Sequence, residues 1–219
     1  MSLHLDRLPF ALDPAGPDGR WTHADGVLTG RAGPGQDLFV PPSGDSLDPA
    51  SDAPRLLGAV GDGDFRLVAR VRPGLVAAGD AGALYLQVAD REWAKLCLER
   101  SADLPTVCTV VTRGHSDDAN AFVVEEGVCW LRLSRTGSAY AFHASADGDS
   151  WTFVRVFTLG TREERAAAHV GVFTLGTREE RAAAHVGFLV QSPTGDGCGA
   201  VFDRIAFLPG GVANLRDGR

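Results

Sequence analysis

From residue 64 onward, apolar and polar residues alternate with a period of two. In residues 64–72 every second residue is apolar and most of the residues between are arginine, which is typical of a β-strand with one buried face. Similar segments recur at short intervals, separated by turn residues: 84–88, 93–99, 106–112, 120–125, 128–134, 139–145, 151–159, 185–192 and 200–207. This succession predicts an all-β fold, a two-sheet antiparallel jelly-roll sandwich.

The first 63 residues carry a weaker pattern. Residues 21–30 predict a hairpin whose turn is Asp25-Gly26, because glycine accepts a positive φ without steric cost. Residues 31–63 are rich in Gly, Pro, Ser and Asp and predict long loops around one or two edge strands. A length of 219 residues suits one large sandwich, so we interpret residues 1–219 as a single domain with its core at about residues 20–208.

A tandem duplication interrupts the strand pattern. Residues 156–171 recur unchanged as residues 172–187, and two copies alone do not make a solenoid. Each copy contains Thr-Arg-Glu-Glu followed by Arg-Ala-Ala-Ala, a capping box followed by helix-forming residues. We therefore expect the surplus within 160–184, as an enlarged loop or short helix. Alternatively, residues 169–175 fill one of the neighbouring strand positions.

Charge and cysteine content narrow the function classes. The net charge is −7 and no Lys/Arg cluster occurs, which disfavours nucleic acid and anionic membranes as partners. The amino terminus does not resemble a signal peptide and no apolar run reaches transmembrane length, so we expect a cytoplasmic location. Cys97, Cys108, Cys129 and Cys198 match no zinc spacing and are predicted to be free buried thiols. The sequence predicts neither a metal site nor a cofactor.

The principal candidate site lies on one predicted strand. Alternation places Trp93, Lys95 and Glu99 on one face, opposite Leu96 and Leu98. An aromatic ring can stack on a sugar, while an ammonium donates to its hydroxyls and a carboxylate accepts from them. The alternative interpretation is a solvated face with a cross-strand salt bridge of little energetic value.

Three further residues complete the candidate ligand site. Arg132 would contribute a donor if its strand presents the same face. His115 and Asp117 lie with Asp118 in a polar loop predicted after residues 110–112. Such groups can serve a metal or catalytic site, but an ordinary polar loop is favoured, with His115 and Asp117 at the rim of the ligand site. The turn at Asp147-Gly148 is interpreted as a hairpin that satisfies its own hydrogen bonds, and less favourably as a sugar-contacting loop.

No recognised catalytic motif accompanies these residues, and Glu99 has no paired acid on its own strand. We therefore interpret the chain as a non-catalytic binding module for a carbohydrate or small polyol on the concave sheet. One alternative is a glycoside-active enzyme that uses Glu99 as one carboxylate. Another is a regulatory module that binds a protein partner through a sheet face.

A series of short motifs carries a family resemblance: Trp93-x-Lys95-x-x-x-Glu99, Val110-Val111-Thr112, Ser116-Asp117, Leu131-Arg132, Ser145-x-Asp147-Gly148-x-x-Trp151, Val186-Gly187 and Ser192-Pro193. Over about residues 20–208 the chain resembles the regulation-of-enolase-like family, which has a concanavalin A-like lectin/glucanase fold. The resemblance implies a jelly-roll of two curved antiparallel sheets and no established activity. The chain departs from the family in its duplicated segment and in Asp118-Ala119, where the family has an aromatic residue.

Overall fold

The computed structural model describes residues 1–43, 52–160 and 184–218, and within these ranges the chain forms fourteen β-strands and no helix. The strands are β1 (Asp13–Ala15), β2 (Thr22–Ala24), β3 (Val27–Ala32), β4 (Arg55–Val60), β5 (Phe65–Pro73), β6 (Ala81–Ala89), β7 (Glu92–Ser101), β8 (Leu104–Arg113), β9 (His115–Val123), β10 (Cys129–Thr136), β11 (Ala139–Ser145), β12 (Thr152–Thr158), β13 (Ala184–Gln191) and β14 (Cys198–Pro209). No helix long and apolar enough to cross a membrane occurs in the described ranges.

The strands form two seven-stranded antiparallel sheets. The first sheet has the order β1-β4-β13-β6-β7-β8-β9, and the second has the order β12-β11-β10-β5-β14-β3-β2. The predicted all-β sandwich is confirmed. The predicted Asp25-Gly26 hairpin is confirmed as well: β2 pairs with β3, and both turn residues have a positive φ, 52° and 74°, as a two-residue hairpin of this twist requires.

The main hydrophobic core lies between the sheets. Alternate side chains of the first sheet, such as Leu84, Leu96 and Phe188, meet alternate side chains of the second, such as Leu133 and Phe202. Because successive residues of a strand point to opposite faces, this packing leaves the other half of each strand on an outer face. The functional question therefore concerns these two outer faces.

The structure corrects two details of the sequence interpretation. The polar stretch that contains His115 is strand β9 and not a loop, since the chain reverses at Gly114, whose φ is 81°. Edge strands tolerate polar side chains because the ladder needs only backbone groups. Strand β4 is not an edge strand, because it pairs with β1 on one side and β13 on the other.

The duplicated segment is described only at its two ends. The first copy begins in β12, and the second copy ends in β13, where residues 184–187 pair with β4 and β6. The expected surplus loop or helix within 160–184 and the alternative placement of residues 169–175 fall almost wholly on residues 161–183, outside the described residues. Both therefore stay predictions.

Candidate functional site

A short segment crosses the outer face of the first sheet. Residues 36–40, here called the strap, are fixed by hydrogen bonds at both ends. At one end the Ser192 amide donates to the Gln36 carbonyl oxygen at 2.7 Å. At the other, the Ser116 amide of β9 donates to the Val40 carbonyl oxygen at 2.8 Å, and the Val40 amide donates to Ser116 Oγ at 2.9 Å. The strap packs on a second hydrophobic cluster that includes Tyr85 and Trp93.

Lys95 is the polar centre of this face. Its Nζ donates to Gln191 Oε1 at 2.6 Å, to the Leu38 carbonyl oxygen at 2.9 Å and to Asp37 Oδ1 at 3.3 Å. Three acceptors match the three donors of an ammonium group. Burial acts to lower the pKa of Lys95, but the negative charge of Asp37 and other neighbours outweighs it, so the pKa is raised. The ammonium therefore stays charged and fastens the strap to the sheet.

Glu99 lies four residues after Lys95 on the same face of β7 and is only half-buried. Its Oε2 accepts a hydrogen bond from Gln191 Nε2 at 3.3 Å, and the same amide group donates to the Gly79 carbonyl oxygen at 3.0 Å. Burial raises the pKa of Glu99 above its usual value, against the lowering effect of the Lys95 ammonium. Gln191 thus links the buried cation to the more accessible carboxylate.

A cavity of about 140 Å³ opens beside this network, between the strap and β9. Its lining includes Asp37, Phe39, Glu99, Asp118, Asn120 and Pro193, together with Lys95. The carboxylates outnumber the ammonium, so the cavity carries net negative charge. It is smaller than the roughly 300–1,000 Å³ of drug-sized ligand pockets. Its size therefore suits a small ligand or one unit of a larger one.

The expected role of Trp93 as an exposed stacking platform is wrong. Trp93 does lie on the face opposite the main core, as alternation predicts, but it is only 1% exposed. Its ring packs against Tyr85 at a centroid distance of 5.9 Å in the hydrophobic cluster under the strap. The expectation that Lys95 lies on a solvated face is wrong for the same reason, because the strap covers it. Of the three residues, only Glu99 is partly accessible.

His115 and Asp117 do not join Lys95, because they occupy the other face of β9. Asp117 pairs across the ladder with Val111, a residue of the main core, whereas Asp118 pairs with Val110 of the cluster under the strap. Asp117 accordingly forms an ion pair with Arg155 of β12 in the second sheet, at 2.9 Å. Period-two alternation places His115 on the same face as Asp117. The rim of the cavity is formed instead by Asp118.

Arg132 lies on the second sheet, so it cannot contribute to a site with Lys95. It projects from the outer face of β10, where its Nη2 donates to the Gly218 carbonyl oxygen at 2.8 Å and its guanidinium lies 4.1 Å from the centroid of the Trp151 ring. The prediction that Arg132 shares a face with Lys95 is wrong because of the strand order: β10 pairs with β5 and β11, not with β7. Local alternation fixes the face of a strand but not its sheet.

The hairpin turn after β11 is structural, as its sequence predicts. Asp147 Oδ1 accepts hydrogen bonds from Ser145 Oγ and from the amides of Asp149 and Ser150, each at 2.8 Å. These bonds to the ionised form, led by that of Ser150, lower the pKa of Asp147 to about 2. The carboxylate is therefore committed to its own turn.

Sequence reasoning missed four polar residues that line the cavity, namely Asp37, Asp118, Asn120 and Gln191. Asp118 and Asn120 could have been found, because alternation along β9 places them on one face. Asp37 gave no local signal, since its approach to Lys95 joins positions 58 residues apart in the chain. Gln191 lies at the end of a recognised strand, but its neighbours depend on the sheet order.

Comparison with solved structures identifies the same sandwich in other proteins. A protein of unknown function from Saccharomyces cerevisiae has a TM-score of 0.69 at 17% identity, with 91% of this chain and 96% of that chain covered. The GH43 protein BlXynB from Bacillus licheniformis has a TM-score of 0.62 at 14% identity, and a xylan β-1,4-xylosidase from Bacillus halodurans has 0.59 at 12% identity. This chain is covered to 86% in each, but spans only 34% and 38% of those chains. These likenesses establish the fold alone.

A search of curated proteins found no match to this chain. The family described as "Protein of unknown function (DUF1349)" matches residues 16–209, which include both sheets almost completely. Its description states no activity, and the regulation-of-enolase resemblance stays a prediction. Because the match extends over most of its length, the chain belongs to the DUF1349 family.

Proposed function

We propose that the protein is a non-catalytic binding module that holds a small neutral polyhydroxylated ligand, a single sugar unit or polyol, in the cavity beside the strap. One observation carries the proposal: the side chains of Glu99, Asp118 and Asn120 line one cavity, next to a buried polar network. Carboxylate oxygens accept strong hydrogen bonds from hydroxyl groups. The amide of Asn120 adds a donor and an acceptor.

The charge of the cavity selects against anionic ligands. Asp37, Glu99 and Asp118 are carboxylates, and Lys95 is the ammonium among these lining residues. Since the Lys95 ammonium already has three acceptors, it has no donor left for a ligand phosphate or carboxylate. A neutral polyol carries hydroxyl donors and meets no such repulsion.

The cavity also has a preorganised wall. Phe39 and Pro193 contribute apolar surface, and the strap that carries Phe39 is fixed by hydrogen bonds at both ends. A rigid site loses less entropy on binding. Some proteins with the same sandwich are named as enzymes that act on sugars, such as the xylan β-1,4-xylosidase. Pentoses are therefore the first ligands to test.

Calorimetric titration of the chelator-treated protein with neutral monosaccharides and polyols tests the proposal. Loss of a hydrogen bond to a charged group costs about 1.5–3 kcal/mol, so Glu99→Gln and Asp118→Asn should each weaken binding about tenfold or more. Asp117→Asn, on the opposite face of β9, and Glu126→Gln, in an exposed turn, are matched controls. No heat with any sugar, or equal affinity in Asp118→Asn and Asp117→Asn, rejects the proposal.

One observation favours a second candidate function, hydrolysis of a glycosidic bond. Glu99 has a raised pKa because it is buried, and a second carboxylate, Asp118, lines the same cavity. Glycoside hydrolysis uses two carboxyl groups, and the one that acts as the general acid has a raised pKa. Release of the aryl group from aryl glycosides, abolished in Glu99→Gln, would establish catalysis. Sugar binding without turnover leaves the binding module as the function.

A further inference from the structure

Two cysteines and a glutamate meet on the outer face of the first sheet. The Sγ atoms of Cys97 and Cys108 and a carboxylate oxygen of Glu99 all lie within 4.8 Å of one another. Cys97 and Glu99 are two residues apart on β7 and share a face, and Cys108 lies directly opposite Cys97 across the β7–β8 ladder. Among the described residues this is the only such group of metal-ligating side chains.

We propose that Cys97, Cys108 and Glu99 form a binding site for a zinc-like divalent transition metal ion. This site does not depend on sugar binding, although it shares Glu99 with the proposed sugar site. Sulfur and carboxylate oxygen are ligands that zinc accepts, with Zn–S bonds of about 2.3 Å. In a tetrahedral site, two sulfurs at that distance are about 3.8 Å apart, so small side-chain rotations suffice to close the group around an ion.

The donor set selects the class of ion. Two sulfur ligands disfavour calcium and magnesium, which take oxygen ligands, and favour zinc, cobalt or cadmium. Histidine is absent from the group. The local sequence patterns of zinc sites missed this group because its two cysteines are eleven residues apart and are brought together only by strand pairing.

Charge balance explains how this ion could be held at a buried position. Two thiolates and one carboxylate carry a charge of −3, so a divalent ion leaves −1. The Lys95 ammonium lies on the same face, within electrostatic range of all three ligands, and supplies +1, which its partner Asp37 offsets with −1. A divalent ion therefore reduces the net charge of this group from −3 to −1, which lowers the cost of holding the ligand charges in a low-dielectric environment.

The site also has an open side. Cys97 is fully buried, whereas Glu99 and Cys108 line the cavity beside Asp118 and Asn120. An ion bound by the three ligands would therefore lie at the floor of the cavity with its remaining coordination position toward the opening. Sites with three protein ligands keep this position for water or for a bound molecule.

Titration of the reduced, metal-free full chain with Co²⁺ tests the inference without any sugar. We expect saturation at one equivalent with a thiolate-to-cobalt charge-transfer band, and displacement of the cobalt by Zn²⁺. The band should be lost in Cys97→Ser and in Cys108→Ser. Cys129→Ser and Cys198→Ser, which remove the two other buried thiols, are matched controls and should retain the wild-type spectrum. Glu99→Gln should keep the band and lose affinity.

X-ray absorption of the zinc-loaded wild-type chain keeps the test decisive if the serine variants fail to fold. Two sulfur ligands per zinc support the site. A shell of nitrogen and oxygen alone, or a band unchanged in Cys97→Ser, overturns it. If Cys97 and Cys108 form a disulfide and the reduced chain still binds no cobalt, the proposal is also overturned. Because sugar titrations use chelator-treated protein and cobalt titrations contain no sugar, each proposal fails separately.

Discussion

The outer faces of the two sheets each bury one cation under a crossing segment, yet they satisfy it differently. On the first sheet the strap covers Lys95, which donates to three oxygen acceptors including the Asp37 carboxylate. On the second sheet the C-terminal segment, residues 211–218, covers Arg132, which donates to the carbonyl oxygen of Gly218. Both cations are nearly inaccessible, at 1% and 5% exposure.

The electrostatic consequences are opposite. The pKa of Lys95 is raised, because nearby negative charge outweighs its burial. The pKa of Arg132 is lowered to about 10 by burial and by the neighbouring Arg66. Within the described part of the chain, Arg132 Nε, Ser134 Oγ and His143 Nδ1 have no hydrogen-bond partner. A buried cation stabilises a fold only when an anion and enough acceptors accompany it, so the two faces should respond differently to the same substitution.

The largest expected loss of stability follows substitution of Lys95. Lys95→Met removes the cation from Asp37, Gln191 and the Leu38 carbonyl group, and loss of one partner of a buried ion pair costs about 3–5 kcal/mol of unfolding free energy. Without this anchor, the strap should exchange its amide hydrogens faster. Urea unfolding measures the loss, and hydrogen exchange at the Val40 and Ser116 amides reports on the strap.

Arg100→Met is the matched control for Lys95→Met. Arg100 lies on the same strand, but its ion pair with Asp103 is at the surface, where Asp103 is 87% exposed. Surface pairs of this kind are worth at most about 1 kcal/mol. If the two variants lose the same stability, the Lys95 network does not fasten the strap.

The second largest expected effect is a loss of stability at acidic pH that arises from His143. Burial, with the nearby Arg132 charge, lowers the pKa of His143 to about 4 in the folded chain from an ordinary 6.5, against opposing contributions from the Leu215 carbonyl group and Asp217. Between pH 6.5 and 4 the unfolded chain therefore binds more protons than the folded chain. Stability is lost as pH falls through this window, by at most about 3 kcal/mol.

Comparison of wild type with His143→Asn isolates this contribution from the carboxylates that titrate nearby. His143 Nε2 lies 3.0 Å from the Leu215 carbonyl oxygen and donates to it in the neutral ring. The variant should lose less stability between pH 7 and pH 4, measured by urea unfolding, whereas His115→Asn on the exposed edge strand should behave as wild type. Parallel pH profiles for wild type and His143→Asn contradict the prediction.

A smaller effect is expected at Arg132, although it is buried like Lys95. Arg132→Met removes a guanidinium that lacks a carboxylate partner, so relief of its desolvation offsets the loss of the Gly218 hydrogen bond and of a cation–π contact worth about 1 kcal/mol with Trp151. The unfolding free energy should change by no more than about 1 kcal/mol. A loss as large as that of Lys95→Met in urea unfolding would erase the distinction between the two faces.

The same contrast shows what the sequence could predict. Period-two alternation predicted the sandwich and correctly placed Trp93, Lys95 and Glu99 opposite the main core. It could not predict the strap, because its contacts with Lys95 and Ser116 join positions 57 to 76 residues apart. Nor could it assign Arg132 to the second sheet, since sheet order in a sandwich is set by long-range pairing that leaves no mark on a single strand.

Adjacent aspartates on β9 give the smallest expected effect on stability and the sharpest test of which face binds. Asp117→Asn weakens an exposed ion pair with Arg155, in which Asp117 is 67% exposed, and should cost less than about 0.5 kcal/mol in urea unfolding. Asp118→Asn should cost as little, because Asp118 is exposed. Calorimetry should separate them, since only Asp118 lines the cavity. Weaker sugar binding in Asp117→Asn with normal binding in Asp118→Asn would place the ligand site on the face toward the second sheet.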